Sequence, residues 1–386
     1  MVLDFTIDDS IRETIRSVSS KFDSSYWREV YRAGRFPEEY WSSLARAGLF
    51  GILIEKKWGG LEKGVLDLSL AVEETAERYS GIASYLYLSG SLVSKVFSSS
   101  GSDEQKSLLP KLARGEIKIS IALTEEVSGM DASAIETKAS KISDDEYVLN
   151  GSKMFVNNVD RADYLILFAR TASSESAGKK SLGVSMFLVD AKDPSIKTLK
   201  LEKLGMDFIN NFAVEIRELR AKSSQMIGEP GRAWYNMVGS FNMDRVVTSA
   251  SLVGTGKLAL SQASKWARER KVFGRPIGMN QGVQFPLADS AAQLETAHVM
   301  TLKAASMADQ GKNFVNEANY ALLVSSNAAM TATDRALQTL GGHGYYKDND
   351  VERYWRDVRV HRVHPISEEL LLAAIAERSL GLPKSY

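Results

Sequence analysis

The sequence predicts an α+β chain in three successive parts: an N-terminal helical domain, a middle antiparallel β domain and a C-terminal four-helix bundle. Three changes of texture carry that expectation. Apolar residues recur at three- and four-residue spacing from residue 8 to about 117; short β-branched runs split by turn residues follow; long helical periodicity then returns. The expected domains are accordingly 1–117, 118–228 and 229–386.

In the first part, FPEEYWSSLARAG puts Pro37 in a first turn, Glu38 and Glu39 at the positive end of a helix and Gly48 at its C-terminal cap. LSLAVEETAERYSGIASYLYLSGSLVSKVFSSSG continues the same spacing, and SDEQKSLLPKLARGE opens with an N-cap serine ahead of acids. The second part contains KISIALTE, EYVLNGSKMFVN, DYLILFAR, VSMFLVD and FAVEIREL, with LNGS and SDDE as turn signals. TASSESAGKK, 171–180, is small and polar and reads as a mobile hairpin loop. The third part holds four long helical stretches in succession, the pattern of a bundle.

Composition narrows the function. Lys plus Arg and Asp plus Glu number 48 each, so no net field draws nucleic acid or an anionic membrane. There is no cysteine, which removes disulfides, thiolate metal sites and cysteine nucleophiles. The N-terminal MVLDFTIDDS is acidic and lacks a signal-peptide pattern, and no run reaches the roughly 18 apolar residues of a membrane span. A cytoplasmic protein without integral membrane segments is expected.

Two short motifs stand out. IALTEEVSGMDASA, 121–134, offers the Thr124 hydroxyl and successive amides around Gly129, which can grip a polar ring edge or a phosphate, or can form a simple turn. QTLGGHGYYKDNDVERYWRD places Gln338, Gly341, Gly342 and Gly344 at a helix end, where glycine permits close backbone approach to a ligand or simply caps the helix.

Together these motifs resemble the acyl-CoA dehydrogenase family. Thr124, Glu125, Ser128, Gly129 and Asp131 are similar to its Thr-Glu-x-x-Ala/Ser-Gly-Ser-Asp signature, with Met130 in place of the usual small hydroxyl residue. The second motif resembles Gln-x-x-Gly-Gly-x-Gly-aromatic, followed by Asp348, Arg353 and Asp357. AGLFGILIEKKWGG, NGSKMFVNN and ERKVFGRPIGMNQ extend the likeness over nearly the whole chain. The resemblance implies a noncovalent FAD between the β domain and the bundle. Thr124 and Gly129 would meet the flavin, with Phe155 and Asn157 where the family usually has tryptophan and threonine. Arg270, Phe273, Gln281, Gln338, Gly341 and Gly342 would hold the pyrophosphate and adenine side of a neighbouring subunit's FAD, and Ser367 matches a position near the cofactor. A shared site implies a homotetramer, with an acyl-CoA or other acyl thioester as substrate and an electron-transfer flavoprotein as electron acceptor.

The resemblance also implies a glutamate base, and the sequence departs from it. Pro365 in RVHRVHPISEE occupies the usual glutamate position, removing both a carboxylate and the backbone N–H that would bond the thioester oxygen. Losing one such donor costs on the order of 3 kcal/mol of transition-state stabilisation. Some family members carry the base on a bundle helix just before an arginine. Here that pair is Asp244 and Arg245, so Asp244 is the candidate base, with Arg245 and Met130 expected to face the substrate; an ion pair within the bundle is the structural alternative. His361 and His364, three apart, could share a helix face, but further ligands are wanting and no metal site is expected. His364 remains an alternative proton carrier.

Overall fold

The computed structural model describes residues 9–173 and 181–385. Among the described residues, seven α-helices precede the sheet: α1 (Asp9–Ser19), α2 (Ser24–Ala33), α3 (Glu38–Arg46), α4 (Val65–Thr75), α5 (Leu86–Ser100), α6 (Asp103–Lys106) and α7 (Leu109–Ala113). Local chemistry explains their ends. Asp23 accepts from the amides of Ser25 and Tyr26, and Ser102 caps α6 through the Gln105 amide. Gly34 closes α2 in the left-handed region.

The helical spacing that runs on from LSLAVEET is interrupted after Thr75. Arg78 and Tyr79 leave helical geometry, with Tyr79 at φ 74°, and Gly81 sits at φ 54°. A Cβ on Gly81 would approach the Tyr354 ring at 3.2 Å, so the chain turns there against the bundle.

Among the described residues, the middle sheet has eight strands: β1 (Ile119–Ala122), β2 (Lys138–Lys141), β3 (Glu146–Asn157), β4 (Tyr164–Arg170), β5 (Val184–Asp190), β6 (Ile196–Leu201), β7 (Asn211–Lys222) and β8 (Met226–Ile227). Their order is β6-β7-β3-β2-β4-β5-β8, with β1 on β4. Most pairs are antiparallel as the sequence predicts, while β1 and β2 each meet β4 in parallel. The YLILFAR run of β4 does not alternate because both its faces are covered. Leu165 and Leu167 pack into the sheet's own core, whereas Ile166 and Phe168 pack with Val93, Leu112 and Met237 from the helices. Of the polar stretch 171–180, residues 174–180 lie outside the described residues.

The third part is built on α8 (Ala233–Glu269), α9 (Gln281–Asp309), α10 (Val315–Leu340), α11 (Asp350–Arg359) and α12 (Glu368–Leu380). A short hairpin, β9 (Lys271–Val272) and β10 (Arg275–Pro276), joins α8 to α9. Gly254 lets α8 lie directly on α4: a Cβ there would stand 2.4 Å from the Glu73 carbonyl oxygen. Asp309 at the end of α9 accepts from the Val65 and Leu66 amides at 2.6 and 2.9 Å, capping α4 from the far side of the sequence. Among the described residues, no helix is long and apolar enough to cross a membrane.

Candidate functional site

The first motif follows β1 as a loop held from inside the protein. Glu125 is buried, and its carboxylate accepts from the Glu136 amide at 2.7 Å, the Thr137 amide at 3.0 Å and Lys153 Nζ at 2.7 Å. Lys153, also buried, donates a second bond to the Leu123 carbonyl at 3.1 Å. Burial pushes the Lys153 ammonium down to about 8. Burial would raise Glu125, but the Lys153 charge and the amides outweigh it and hold the carboxyl below its ordinary range. The opposite pulls follow from three donors on the carboxylate against two acceptors on the ammonium, and the pair is ionic at neutral pH. Arg170 at the end of β4 secures the loop's exit, donating to the Ser133 carbonyl at 2.6 Å and the Ile135 carbonyl at 2.9 Å. Neither Lys153 nor Arg170 was singled out by sequence reasoning; the signal available was a lysine within the apolar strand run KMFV.

This framework brings the predicted β-side residues together. The Met154 amide donates to the Thr124 carbonyl at 2.8 Å, joining the loop to β3 beside Phe155. Phe155 sits at an irregularity between Lys153 and Val156, at φ 59°, with 62% of its surface exposed. A bulge re-aims a side chain, and here it turns an aromatic plane outward. Asn211 donates to the Phe155 carbonyl at 3.3 Å and to the Asn157 side chain. Gly129 and Met130 lie open on the loop, and no atom lies within 4 Å of where a Gly129 Cβ would stand.

The bundle-side residues form a second group. Arg270 follows α8 directly, Phe273 tips the β9–β10 turn at φ 52° and is fully exposed, and Gln281 opens α9. Gln338 lies in the last turn of α10, with Gly341 and Gly342 just beyond; a Cβ on either glycine would meet nothing within 4 Å. Trp266 and His343 contact at 4.9 Å between ring centroids, which ties the end of α8 to this glycine turn. The expected C-cap role holds for Gly341, which leaves the helix at φ 59°. An exposed aromatic plane on the β side and, on the bundle side, an arginine with glycines that leave room for close approach fit a ring-bearing diphosphate such as FAD.

The two candidate bases have different surroundings. Asp244 is buried on α8 and accepts from the Thr248 hydroxyl one turn on at 3.2 Å. Arg245 donates to Asn242 at 2.8 Å, and burial lowers its guanidinium pKa against the opposing charge of Asp244. The two histidines do not share a helix face. His361 lies in a 3₁₀ turn, Val360–Arg362, and is buried, whereas His364 lies beyond it and is exposed. His361 Nδ1 stands 3.3 Å from the His364 carbonyl, and burial followed by the neighbouring His364 lowers its pKa to about 3. Ser367 caps α12 through the Leu370 amide at 3.3 Å, as predicted. Ile366 is partly buried against the helical core.

A third convergence lies on α11. Asp357, fully buried, accepts from Tyr31 of α2 and from the Met206 amide of the β domain at 2.5 Å. Arg353 lies between the Tyr31 and Tyr354 rings, 4.6 Å from each centroid. Arg356 pairs with Asp207 at 3.0 Å and Glu352 at 2.7 Å.

A helical, β and helical chain that presents an exposed aromatic beside the loop after β1 fits a flavoprotein oxidoreductase architecture. Comparison with known proteins gives the family. Residues 8–116, 120–219 and 231–380 match the N-terminal, middle and C-terminal domains of acyl-CoA dehydrogenase, respectively. The chain is 30% identical to acyl-CoA dehydrogenase fadE12 of Mycobacterium bovis, with 98% of each chain covered. It is 33% identical to the caffeyl-CoA reductase-Etf complex subunit CarC of Acetobacterium woodii, covering 92% of this chain and 93% of that one. Butyryl-CoA dehydrogenase from Megasphaera elsdenii superposes with a TM-score of 0.90 at 29% identity, covering 96% of this chain and 98% of that one. This chain belongs to the acyl-CoA dehydrogenase family, FAD-dependent oxidoreductases acting on CH–CH groups.

Proposed function

We propose that this protein oxidises the α,β-bond of an acyl thioester, acyl-CoA being the first candidate, with Asp244 as the base that takes the α-proton. The observation that carries this reading is a buried carboxylate on α8, beside Arg245, in a chain whose usual base position holds Pro365. Bound FAD supplies the acceptor for the β-hydride. The α-hydrogen leaves as a proton to an Asp244 oxygen, and a C=C bond forms as the two C–H bonds break. Aspartate is one methylene shorter than glutamate, so substrate must sit about 1 Å closer; a misplacement of that size costs ~100-fold in rate. The Thr248 hydroxyl bond on Asp244 Oδ1 restrains the carboxylate and supports such a placement.

In the same reading, Thr124, Gly129 and Asn157 meet the flavin ring edge, Phe155 stacks on its plane and Ser367 lies beside it. Arg270, Phe273, Gln281, Gln338, Gly341 and Gly342 hold the pyrophosphate and adenine end of the FAD of a neighbouring copy. Arg245 and Met130 line the substrate side. Support for a shared site comes from the exposure of Phe273 and the division of the candidates into two groups on different elements. A homotetramer in the cytoplasm serving fatty acid metabolism follows, with an electron-transfer flavoprotein as redox partner. The similarity to a caffeyl-CoA reductase-Etf complex subunit supports that partner and leaves the reverse reaction, enoyl reduction, as the cellular direction to be measured.

The test is anaerobic mixing of the yellow protein with acyl-CoAs of graded length and branching. Bleaching of the flavin by one of them supports the reading. Retained FAD that no acyl-CoA bleaches overturns it, in favour of a family fold that has given up dehydrogenation and serves other flavin chemistry or a noncatalytic subunit.

A further inference from the structure

Away from the flavin candidates, α1, α2, the interrupted segment after α4, the second half of α8 and the turn before α11 enclose a groove of about 600 Å³. None of the residues assigned above to FAD or substrate lines it. Its wall combines hydroxyls from Ser19, Ser20, Ser24 and Ser261, the Gln262 amide, the cations Arg16, Arg28, Arg78 and Lys265, and the Tyr79 ring.

The charges do not cancel within the wall. Asp350 is taken by Arg353 at 3.3 Å and Arg28 at 3.7 Å, and Asp348 by Arg32. Glu77 faces Lys257, from outside the lining, at 3.6 Å. Arg16 and Arg78 share Glu74, which lies outside the lining. Lys265 is exposed on α8 and, among the described residues, has no carboxylate within ion-pair distance. The groove therefore carries an uncompensated cation.

Two further observations point to an occupant. Ser19 Oγ and Arg78 Nε, both from lining residues, are buried without a hydrogen-bond partner. Buried donors of this kind are rare because each forfeits hydration. Tyr79 holds φ 74°, a conformation costly for a bulky residue, and keeps 45% of its surface open while lining the groove. An aromatic residue kept open in a cationic, hydroxyl-rich groove suits a flat ring joined to a phosphate.

We propose that this groove is a second ligand site, taking a phosphate ester that carries a planar ring, of nucleoside monophosphate size. The phosphate lies against Lys265 and Arg78 with serine hydroxyls completing its shell, and the ring lies on Tyr79. The site is separate from the redox centre, so it stands whichever way the dehydrogenase reading falls.

The experiment is calorimetric titration of the FAD-loaded protein with AMP, with adenosine and inorganic phosphate as separate arms, while flavin absorbance is followed. AMP is expected to bind without releasing flavin and more tightly than either fragment. Lys265→Gln is expected to weaken it roughly tenfold, the loss of one charge-assisted contact. Ser261→Trp, an exposed position that fills the groove, is expected to abolish binding with flavin content unchanged. Absence of AMP binding, binding that displaces flavin, or affinity unaltered by both substitutions overturns the proposal.

Discussion

Lys153 of β3 and Glu125 of the loop after β1 form an ion pair at 2.7 Å in which neither side chain is open to solvent. Because Glu125 also takes the Glu136 and Thr137 amides, this one pair fixes both ends of the segment carrying Thr124 and Gly129. Lys153→Met leaves a buried carboxylate without its countercharge, and is expected to cost about 3–5 kcal/mol in urea unfolding. Adding Glu125→Gln should recover part of that loss, since the uncompensated charge goes with it. A single Lys153→Met variant as stable as the parent would show that the pair contributes nothing.

Asp357 gives a pH signature. Burial raises its carboxyl to about 6 from an ordinary 3.8, against the opposing Tyr31 and Met206 hydrogen bonds. The folded chain therefore holds a proton that the unfolded chain releases between about pH 4 and 6. Its contribution is full below the unfolded pKa and is lost as pH rises through the folded one. Subtracting the stability profile of Asp357→Asn from that of the parent should give a difference that falls across pH 4 to 6 and is flat above 7. A difference that rises over this window contradicts the assignment.

Asp309→Ala removes the acceptor for two amides at the start of α4. A lost cap of this kind is worth about 1 kcal/mol, to be read as a shift in the denaturation midpoint with an unchanged slope. Asp309→Asn should recover most of it.

The base assignment separates through three variants. Asp244→Asn should suppress flavin reduction by acyl-CoA while leaving the FAD spectrum intact, and His364→Gln should change the rate far less. Pro365→Glu returns both a carboxylate and an N–H to the vacant position. It should gain dehydrogenation if Ile366, packed against the helical core, leaves the glutamate room. Full activity in Asp244→Asn with none in His364→Gln moves the role to the histidine.

Assembly is checked by light scattering together with FAD retention. A mass near four chains is expected, and Arg270→Ala should weaken FAD retention by removing a charge-assisted phosphate contact. A monomer that keeps its flavin would separate cofactor binding from assembly.

Much of this was legible in the chain itself because it is local. The Ser102 and Ser367 caps, the strand runs and the glycine turn at Gly341 depend on neighbours a few residues away, and helical or alternating spacing reports them directly. The parts that escaped are nonlocal. Nothing near Lys153 announces that its partner lies 28 residues earlier, because an irregularity in β3 decides which side chains turn inward. The break at Arg78 and Tyr79 falls within an apolar spacing that looks helical throughout, and only contact of Gly81 with Tyr354 explains where the chain turns. His361 and His364 share a helical interval in sequence but end in different environments, since the helix stops at Arg359.

The junction at Asp357 bears on how substrate enters. One carboxylate receives a tyrosine from the second helix and an amide from the β domain while standing on the bundle, so all three parts of the chain meet at a single dry point. Jaws that swing apart would have to strip that carboxylate of both donors. Entry by way of loops and long side chains at the surface costs neither of these bonds, and is the route such a junction favours.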